Sequence, residues 1–180
     1  MSHMTEPGQL YSVLQKRLDA KVQRAPASPA LIQILSRLYS PEDARLAVML
    51  PHSFTSLETL SKNVGLPGDE LADRLSDMAR RGLVFDLEHK GRHFFTLPPV
   101  VVGFFELTFM RTRPDTPMKE LACLFEEYFY ADDRFAHSHY QGSTQLFRSF
   151  VREEALPEKD HTEVLDWERA THVVSTASAA

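Results

Sequence analysis

Apolar residues recur every three to four positions through most of the first fifty residues, and this spacing is the period of an amphipathic α-helix. Residues 10–22, 31–38 and 44–50 each follow it, and a proline-containing break separates the first two runs. Ser40 and Pro41 precede the third run. A serine side chain accepts hydrogen bonds from the unpaired N–H groups of a first helical turn, and proline has no N–H to leave unpaired there. The pattern therefore predicts three helices before residue 51.

Residues 55–97 show two further helical patterns and then an extended one. Thr55 and Glu58 have the spacing of a capping box at the start of a short helix. A turn at residues 65–68 separates this helix from the next, which ends at Gly82, a residue type that favours the position after a helix end. Two strands then flank a polar turn, at residues 84–87 and 93–97. The residues predicted to be buried in the two helices are Leu57, Leu60, Val64, Leu71, Leu75 and Met78.

The order of helix, helix, tight turn, helix and β-hairpin is typical of a winged helix-turn-helix. We therefore predict a mainly α fold with a small β-hairpin, of the α+β class, whose winged helix-turn-helix core spans residues 25–99. An N-terminal helix precedes this core at residues 1–24, and a helical extension follows it at residues 100–178.

The extension alternates between apolar and polar stretches. Residues 118–129 have a helical period, and the polar residues 132–143 indicate a loop. Residues 145–151 fit a strand, and residues 164–174 fit a last amphipathic helix. We expect the small residues after position 175 to be frayed.

Large apolar residues crowd positions 100–110 more densely than one helix face requires. Two alternatives explain this density. Either both sides of the segment are buried inside the fold, or the segment contacts a second chain and the protein is a homodimer. The residues predicted for such an interface are Val101, Phe104, Phe105 and Phe109.

Composition narrows the class of protein. The chain has 180 residues, of which 43% are hydrophobic, so a folded core is expected. Its net charge of −5 gives no electrostatic reason for general binding to polyanions. Its single cysteine excludes an internal disulfide and any metal or cluster site built from several cysteines of this chain. No leader peptide or membrane span is evident, so we expect a cytoplasmic protein with no membrane partner.

DNA binding is the first chemistry that a winged helix suggests, because its second helix enters the major groove. The cations available are Arg74, Arg80, Arg81, Lys90, Arg92 and His93. The first half of the predicted recognition helix, however, also carries Asp69, Glu70 and Asp73. Three carboxylates there oppose a groove lined by phosphates, so DNA binding is the alternative and a packing or partner surface is favoured.

Other chemistry has weaker support in the sequence. His137 and His139, with Asp132 and Asp133 nearby, form the densest set of metal-ligand types, but the expected structure is a solvated loop without metal. Cys123 lies between apolar neighbours and is expected to be a small buried residue. No acid, base and nucleophile form a recognisable catalytic set, so we expect no enzyme activity.

Several stretches resemble one protein family and keep its order along the chain. They are YSPEDA at 39–44, MARRGLVF at 78–85, VGFFEL at 102–107, LFEEYF at 124–129, TQLFR at 144–148, and EVLDWE at 163–168 with VVS at 173–175. Together they resemble the N-terminal region of bacterial and archaeal ferredoxin-type iron–sulfur proteins. The resemblance extends from about residue 18 to residue 178.

The resemblance implies a winged-helix-like N-terminal part followed by a cysteine-rich part that binds four-iron four-sulfur clusters. The sequence ends at Ala180, where the cysteine-rich part of such proteins begins, and Cys123 matches none of the family's cluster ligands. We therefore expect no cofactor in this chain and clusters only in a following part. The function implied is a non-catalytic interaction or regulatory module, whose partner is another protein or its own cluster domain. The alternative is a DNA-binding transcriptional regulator.

Overall fold

The computed structural model describes residues 7–110 and 116–140, together with Thr171 and Ser175. By internal contacts the chain divides into two units, residues 1–146 and residues 147–180. The strand predicted at 145–151 and most of the helix predicted at 164–174 lie outside the described residues. Everything below concerns the first unit.

This unit is mostly helical and contains one small antiparallel sheet. Its elements, in chain order, are α1 (Pro7–Asp19), α2 (Pro29–Leu38), α3 (Pro41–Met49), β1 (Thr55–Ser56), α4 (Leu57–Val64), α5 (Gly68–Arg80), β2 (Phe85–His89), β3 (Arg92–Thr96), α6 (Phe105–Phe109), α7 (Met118–Tyr130) and α8 (Arg134–Tyr140). A tight turn over Val100–Phe104 precedes α6. The predicted α+β class is confirmed at this level of detail.

Local sequence explains where α3 begins. The Ser40 hydroxyl accepts from the Asp43 N–H at 3.1 Å, and the Asp43 carboxylate accepts from the Ser40 N–H at 3.2 Å. This reciprocal capping box satisfies two donors that a helix start leaves unpaired. The predicted start of α3 is thereby confirmed. The first helix, by contrast, ends at Asp19, so Val22 lies outside it and is exposed.

The caps around α4 and α5 match the sequence pattern with one correction. Ser56, and not Thr55, caps α4, because its hydroxyl accepts from the Thr59 N–H at 3.4 Å. Gly82 has φ +77° after the end of α5, the left-handed conformation predicted for it. Its position also leaves no room for a side chain, since an added Cβ would lie 2.7 Å from the Cβ of Leu107.

The sheet has three strands in the order β1–β3–β2, all antiparallel. The hairpin of β2 and β3 was predicted, and its turn is formed by Lys90 and Gly91, both with positive φ. Strand β1 was not predicted. It is two polar residues long, and its Thr55 pairs with Phe95 of β3.

One hydrophobic core runs from α1 to α7. Tyr39, between α2 and α3, lies near its centre, where its hydroxyl donates to the Leu83 carbonyl at 3.0 Å and its carbonyl accepts from the Tyr11 hydroxyl at 2.9 Å. Burial raises the pKa of the Tyr39 phenol far above its usual range. The predicted helix faces are buried as expected at Leu60, Leu71, Leu75 and Met78, while Leu57 and Val64 are half-buried.

Residues 134–140 form helix α8, so the loop predicted there is wrong. The polar composition suggested a loop, but α8 packs through Phe135, whose ring lies 4.5 Å from that of Phe129 and 5.3 Å from that of Tyr128. Tertiary packing of one aromatic residue thus stabilises a helix that the local pattern did not indicate. In the described ranges, no helix combines the length and the apolar content needed to cross a bilayer.

Candidate functional site

The predicted recognition helix is α5, and its exposed N-terminal half is acidic. Asp69 and Glu70 lie in its first turn and Asp73 in the next, all three exposed. Carboxylates are favourable at this end because a helix N-terminus carries about half a positive charge. The same carboxylates make the exposed start of α5 negative, which opposes the approach of a phosphate backbone.

Two exposed arginines of α5 are paired with carboxylates of the same helix. Arg74 lies 3.9 Å from Glu70, and Arg80 lies 2.9 Å from Asp77. The spacings are four and three residues, at which side chains on a helix are neighbours. Each exposed pair adds about 0–1 kcal/mol to stability. For the binding of anions the pairs matter more than for stability, because each carboxylate offsets the charge of its arginine.

Arg81 connects the end of α5 to the start of α3. Its Nε lies 2.9 Å from Asp77, and its Nη2 lies 3.0 Å from Asp43, the residue that also caps α3. The side chains of Arg81 and Asp43 are 28% and 17% exposed, so this pair is partly shielded from solvent. Arg81 therefore links α3 and α5. Its guanidinium is already engaged in ion pairs inside the fold.

The hairpin presents the remaining predicted cations. Arg92 lies 3.3 Å from Glu58 of α4 and 5.7 Å from the centre of the Phe94 ring. A hydrogen bond from Ser56, one from the backbone and one from Arg92 lower the pKa of Glu58, so this carboxylate stays charged at neutral pH. Lys90 and His93 are exposed and have no ion pair within the part of the chain that is described.

Four of the six predicted DNA-contacting residues are thus arginines with a carboxylate partner. Phosphate contacts contribute to DNA affinity by releasing counterions from the backbone, and a cation already paired with a carboxylate must first lose that partner. The six residues lie on α5, directly after it at Arg81, and on the hairpin, and the groups available without rearrangement are Lys90 and His93.

The four residues predicted for a chain–chain interface have different environments. Phe104 is fully buried and contacts Tyr39 and Phe125, with ring centres 6.4 and 6.3 Å apart. For Phe104, burial inside the fold accounts for its apolar character. Phe105 and Val101 are half-buried, and Phe109 is 36% exposed.

Aromatic contacts explain much of the apolar density at residues 100–110. The Phe105 ring lies 4.9 Å from that of Phe125 and 5.0 Å from that of Phe129, both on α7. Phe109 lies 5.5 Å from Phe105 and 5.7 Å from Phe125. Edge-to-face pairs at these separations are favourable beyond the area that they bury. The segment therefore serves to attach α6 to α7.

The histidines considered as metal ligands lie on α8. His139 is buried, its ring stacks on Phe135 at 4.0 Å, and its Nδ1 lies 2.9 Å from the Phe135 carbonyl oxygen. His137 lies two residues earlier and is exposed. Alternate residues on a helix project in different directions, so the pair does not chelate as it would on a strand. Across the residues described, no three His, Cys, Asp or Glu side chains lie close enough together to hold a metal ion.

Cys123 is exposed on α7, so its predicted burial is wrong. The buried residues of this helix are Leu121, Leu124, Phe125 and Tyr128. Cys123 falls between Leu121 and Leu124 in the sequence, and a helical period turns it away from the face that those residues share. Apolar neighbours in sequence were therefore a poor guide to its environment.

The structure also fixes one arginine outside the winged-helix elements through a contact that sequence reasoning missed. Arg17 at the end of α1 donates through Nε to the carbonyl oxygen of Leu50 at 3.0 Å, and its Nη2 donates to the same oxygen. This contact brings α1 beside the loop that follows α3, which contains His52. Lys21 lies one turn after Arg17. The signal in the sequence was the presence of four cations and one acid between residues 16 and 24.

Comparison with known proteins adds no relative from which a function could be taken. No family model matches the chain. No curated protein and no solved structure matches it either. The class that the structure defines is therefore a mostly helical α+β protein with a three-stranded antiparallel sheet.

Proposed function

We propose that the chain is a winged-helix module that acts as a non-catalytic interaction or regulatory part of a ferredoxin-type iron–sulfur protein. The element order α3, β1, α4, α5, β2, β3 and the strand order β1–β3–β2 support a winged helix. In that architecture α4 and α5 are the helix-turn-helix and the β2–β3 turn is the wing. The family assignment rests on the sequence segments between residues 39 and 175 that resemble ferredoxin-type iron–sulfur proteins.

The pairing of the arginines is the observation that favours an interaction module. Arg74, Arg80, Arg81 and Arg92 would be the main phosphate contacts of a DNA reader, and each has a carboxylate within 4.0 Å. A duplex-binding winged helix needs a basic face, because phosphate neutralisation supplies much of its affinity. An acidic α5 with locally neutralised arginines suits contact with another protein surface.

DNA binding by a transcriptional regulator is the second candidate. The arrangement of α4, α5 and the hairpin favours it, since winged helices commonly present these elements to the grooves of a duplex. Lys90 and His93 on the hairpin would then contact the backbone.

Salt-dependent binding to duplex DNA separates the two candidates. We expect a fluorescently labelled 30-base-pair duplex to show no binding at physiological salt and protein concentrations up to about 100 μM, the weak end of typical non-specific affinities. Binding at low salt that weakens steeply with added salt would support the regulator and contradict the interaction module.

Expression of the reading frame beyond Ala180 tests the iron–sulfur assignment. We expect a following cysteine-rich part and, after anaerobic purification, iron and acid-labile sulfide in the ratio of four-iron four-sulfur clusters. A stop codon directly after Ala180 would contradict the assignment. The expected partner is then the cluster part itself, and limited proteolysis of the longer chain with and without clusters would detect contact between the two parts.

A further inference from the structure

Strand β2 lies at one edge of the sheet, and its outer side is open. The strand order β1–β3–β2 gives it a single neighbour, β3, among the strands that the structure describes. Its residues Asp86, Leu87, Glu88 and His89 are all exposed. An exposed edge strand is a template on which another chain can pair. Strand β1, at the opposite edge, has two residues against the five of β2, so β2 is the better template.

The hairpin turn shows which backbone groups of β2 face outward. Both turn residues have positive φ, 52° and 71°, as in a two-residue type I′ turn. His89 and Arg92 flank this turn and form a hydrogen-bonded pair, and such pairs alternate with non-hydrogen-bonded pairs along an antiparallel ladder. The N–H and C=O groups of Asp86 and Glu88 therefore point away from β3. Across the described residues, these outward groups have no hydrogen-bond partner.

A groove beside this edge combines an apolar wall with a carboxylate. It has a volume of about 350 Å³ and lies between the end of α5, strand β2 at Asp86, and α6. Leu107 and Met110 supply apolar surface, and Met110 is 72% exposed. Arg80 also lines the groove, but its charge is offset by Asp77 at 2.9 Å. Asp86 has no ion pair in the described ranges. A side chain with an apolar stem and a positive end would contact both kinds of surface.

The charges along the edge decide which partner fits. Side chains two positions apart on a strand point to the same face, so Asp86 and Glu88 form a short acidic row, with the exposed Leu87 on the other face. The residues opposite them on β3 are Phe95 and His93, so no lysine or arginine offsets the row directly across the ladder. Pairing with β2 of a second copy would bring two acidic rows together, which is destabilising. The row also opposes the approach of a nucleic-acid backbone.

We propose that the outer edge of β2 binds an extended segment of a partner protein that carries lysine or arginine at alternate positions. The segment adds a strand to the sheet: its backbone bonds to Asp86 and Glu88, and its cations lie beside their carboxylates. The cation nearest Asp86 lays its stem along Leu107 and Met110. This inference rests on the proposed interaction module and names the surface and the chemistry of its partner.

Amide NMR of the full chain with short peptides tests the site. The probe is a capped peptide of about seven residues in which lysine and valine alternate, long enough to cover β2. We expect saturable shifts of the Asp86 and Glu88 N–H resonances and slower hydrogen exchange at both amides. A peptide with glutamate in place of lysine should not bind. A peptide of Nα-methyl-lysine and valine keeps the charge but lacks backbone donors, so it should bind about tenfold more weakly, the effect of losing two hydrogen bonds.

Variants of the chain supply a matched comparison. Asp86→Asn with Glu88→Gln keeps the outward backbone groups and should weaken binding of the lysine peptide about fivefold, the effect of two exposed ion pairs. The control, Glu126→Gln with Glu127→Gln on α7, changes the net charge by the same amount at exposed positions and should leave binding unchanged. Circular dichroism establishes that each variant is folded.

The outcomes divide clearly. Saturable shifts on β2 that decline with the methylated peptide and in the edge variant, but not in the control, support the site. Undiminished binding of the methylated peptide, binding of the glutamate peptide, or equal weakening in both variants would overturn it. The absence of binding by the lysine peptide would also overturn it. In that case contact with the cluster part, detected by limited proteolysis of the longer chain, would still support the interaction module, and the absence of that contact would count against the module itself.

Discussion

Removal of the carboxylates that pair with Arg74 and Arg80 is the most direct perturbation of the proposed interaction surface. In the double variant Glu70→Gln with Asp77→Asn, both arginines lose their partners while every side chain keeps nearly the same shape. Arg81 keeps one partner, because Asp43 remains 3.0 Å from its Nη2. If pairing is what prevents this face from binding a duplex, the variant should gain affinity that the natural chain lacks.

The size of the gain follows from the number of arginines released. Each phosphate contact steepens the dependence of the logarithm of affinity on the logarithm of salt by about 0.9. Two released arginines should therefore give a slope of about −1.8, and affinity should fall about tenfold between 50 and 200 mM salt. The fold should survive, since exposed ion pairs contribute about 0–1 kcal/mol each.

Fluorescence anisotropy with a labelled 30-base-pair duplex over that salt range measures the slope. The matched control is Glu126→Gln with Glu127→Gln on α7, which changes the net charge by the same amount. Both residues are exposed, and in the described ranges neither has an ion pair. We expect the control to bind no better than the natural chain.

Three results would refute the reasoning. Steep salt-dependent binding by the natural chain would show that pairing does not mask the arginines. An equal gain in the control would assign the effect to net charge. No gain in a folded double variant would mean that α5 does not present these arginines to a duplex, which would weaken the winged-helix assignment itself.

Three further predictions concern stability. Gly82→Ala should lower the free energy of unfolding by about 2–5 kcal/mol in urea titrations, because it adds a left-handed alanine and a close contact with α6; a loss below 0.5 kcal/mol would contradict this. Tyr39→Phe should cost about 1–3 kcal/mol, since the buried Leu83 carbonyl loses its donor, whereas Tyr130→Phe, at an 81% exposed position, should stay within about 0.5 kcal/mol. The pKa of His52 is lowered in the folded chain, so as pH falls the unfolded chain binds its proton before the folded chain does, and the free energy of unfolding should decrease below about pH 6.5. In urea titrations across pH 5–8, His52→Gln should reduce this dependence of the free energy of unfolding on pH. An unchanged dependence would contradict the prediction.

Elements with a strong local pattern were predictable from the sequence. The start of α3 follows from Ser40, Pro41 and Asp43, which supply a cap, a first residue without N–H and a reciprocal acceptor within four positions. The end of α5 follows from Gly82, because few other residues adopt φ +77° without strain. In both cases the residues that decide the structure lie next to each other in the chain.

Features that depend on distant residues were not predictable in this way. Strand β1 exists because Thr55 reaches Phe95 across forty residues, and two polar residues give no alternating pattern of their own. Helix α8 depends on aromatic contacts of Phe135 with α7. The Arg81–Asp43 pair spans 38 positions. The sequence showed carboxylates and arginines on the same predicted helix, but not which carboxylate neutralises which arginine.

The ion pairs show where the cations of a chain with net charge −5 are neutralised and where they are not. Acids on α5 offset the charge of its own arginines. The predicted recognition helix therefore attracts an anion less strongly than its arginine content alone would suggest. Among the residues predicted to contact DNA, Lys90 and His93 have no such carboxylate partner within the described residues, and both lie on the hairpin. A duplex that bound the natural chain would therefore be expected to contact the hairpin before α5, because the arginines of α5 must first lose their carboxylate partners.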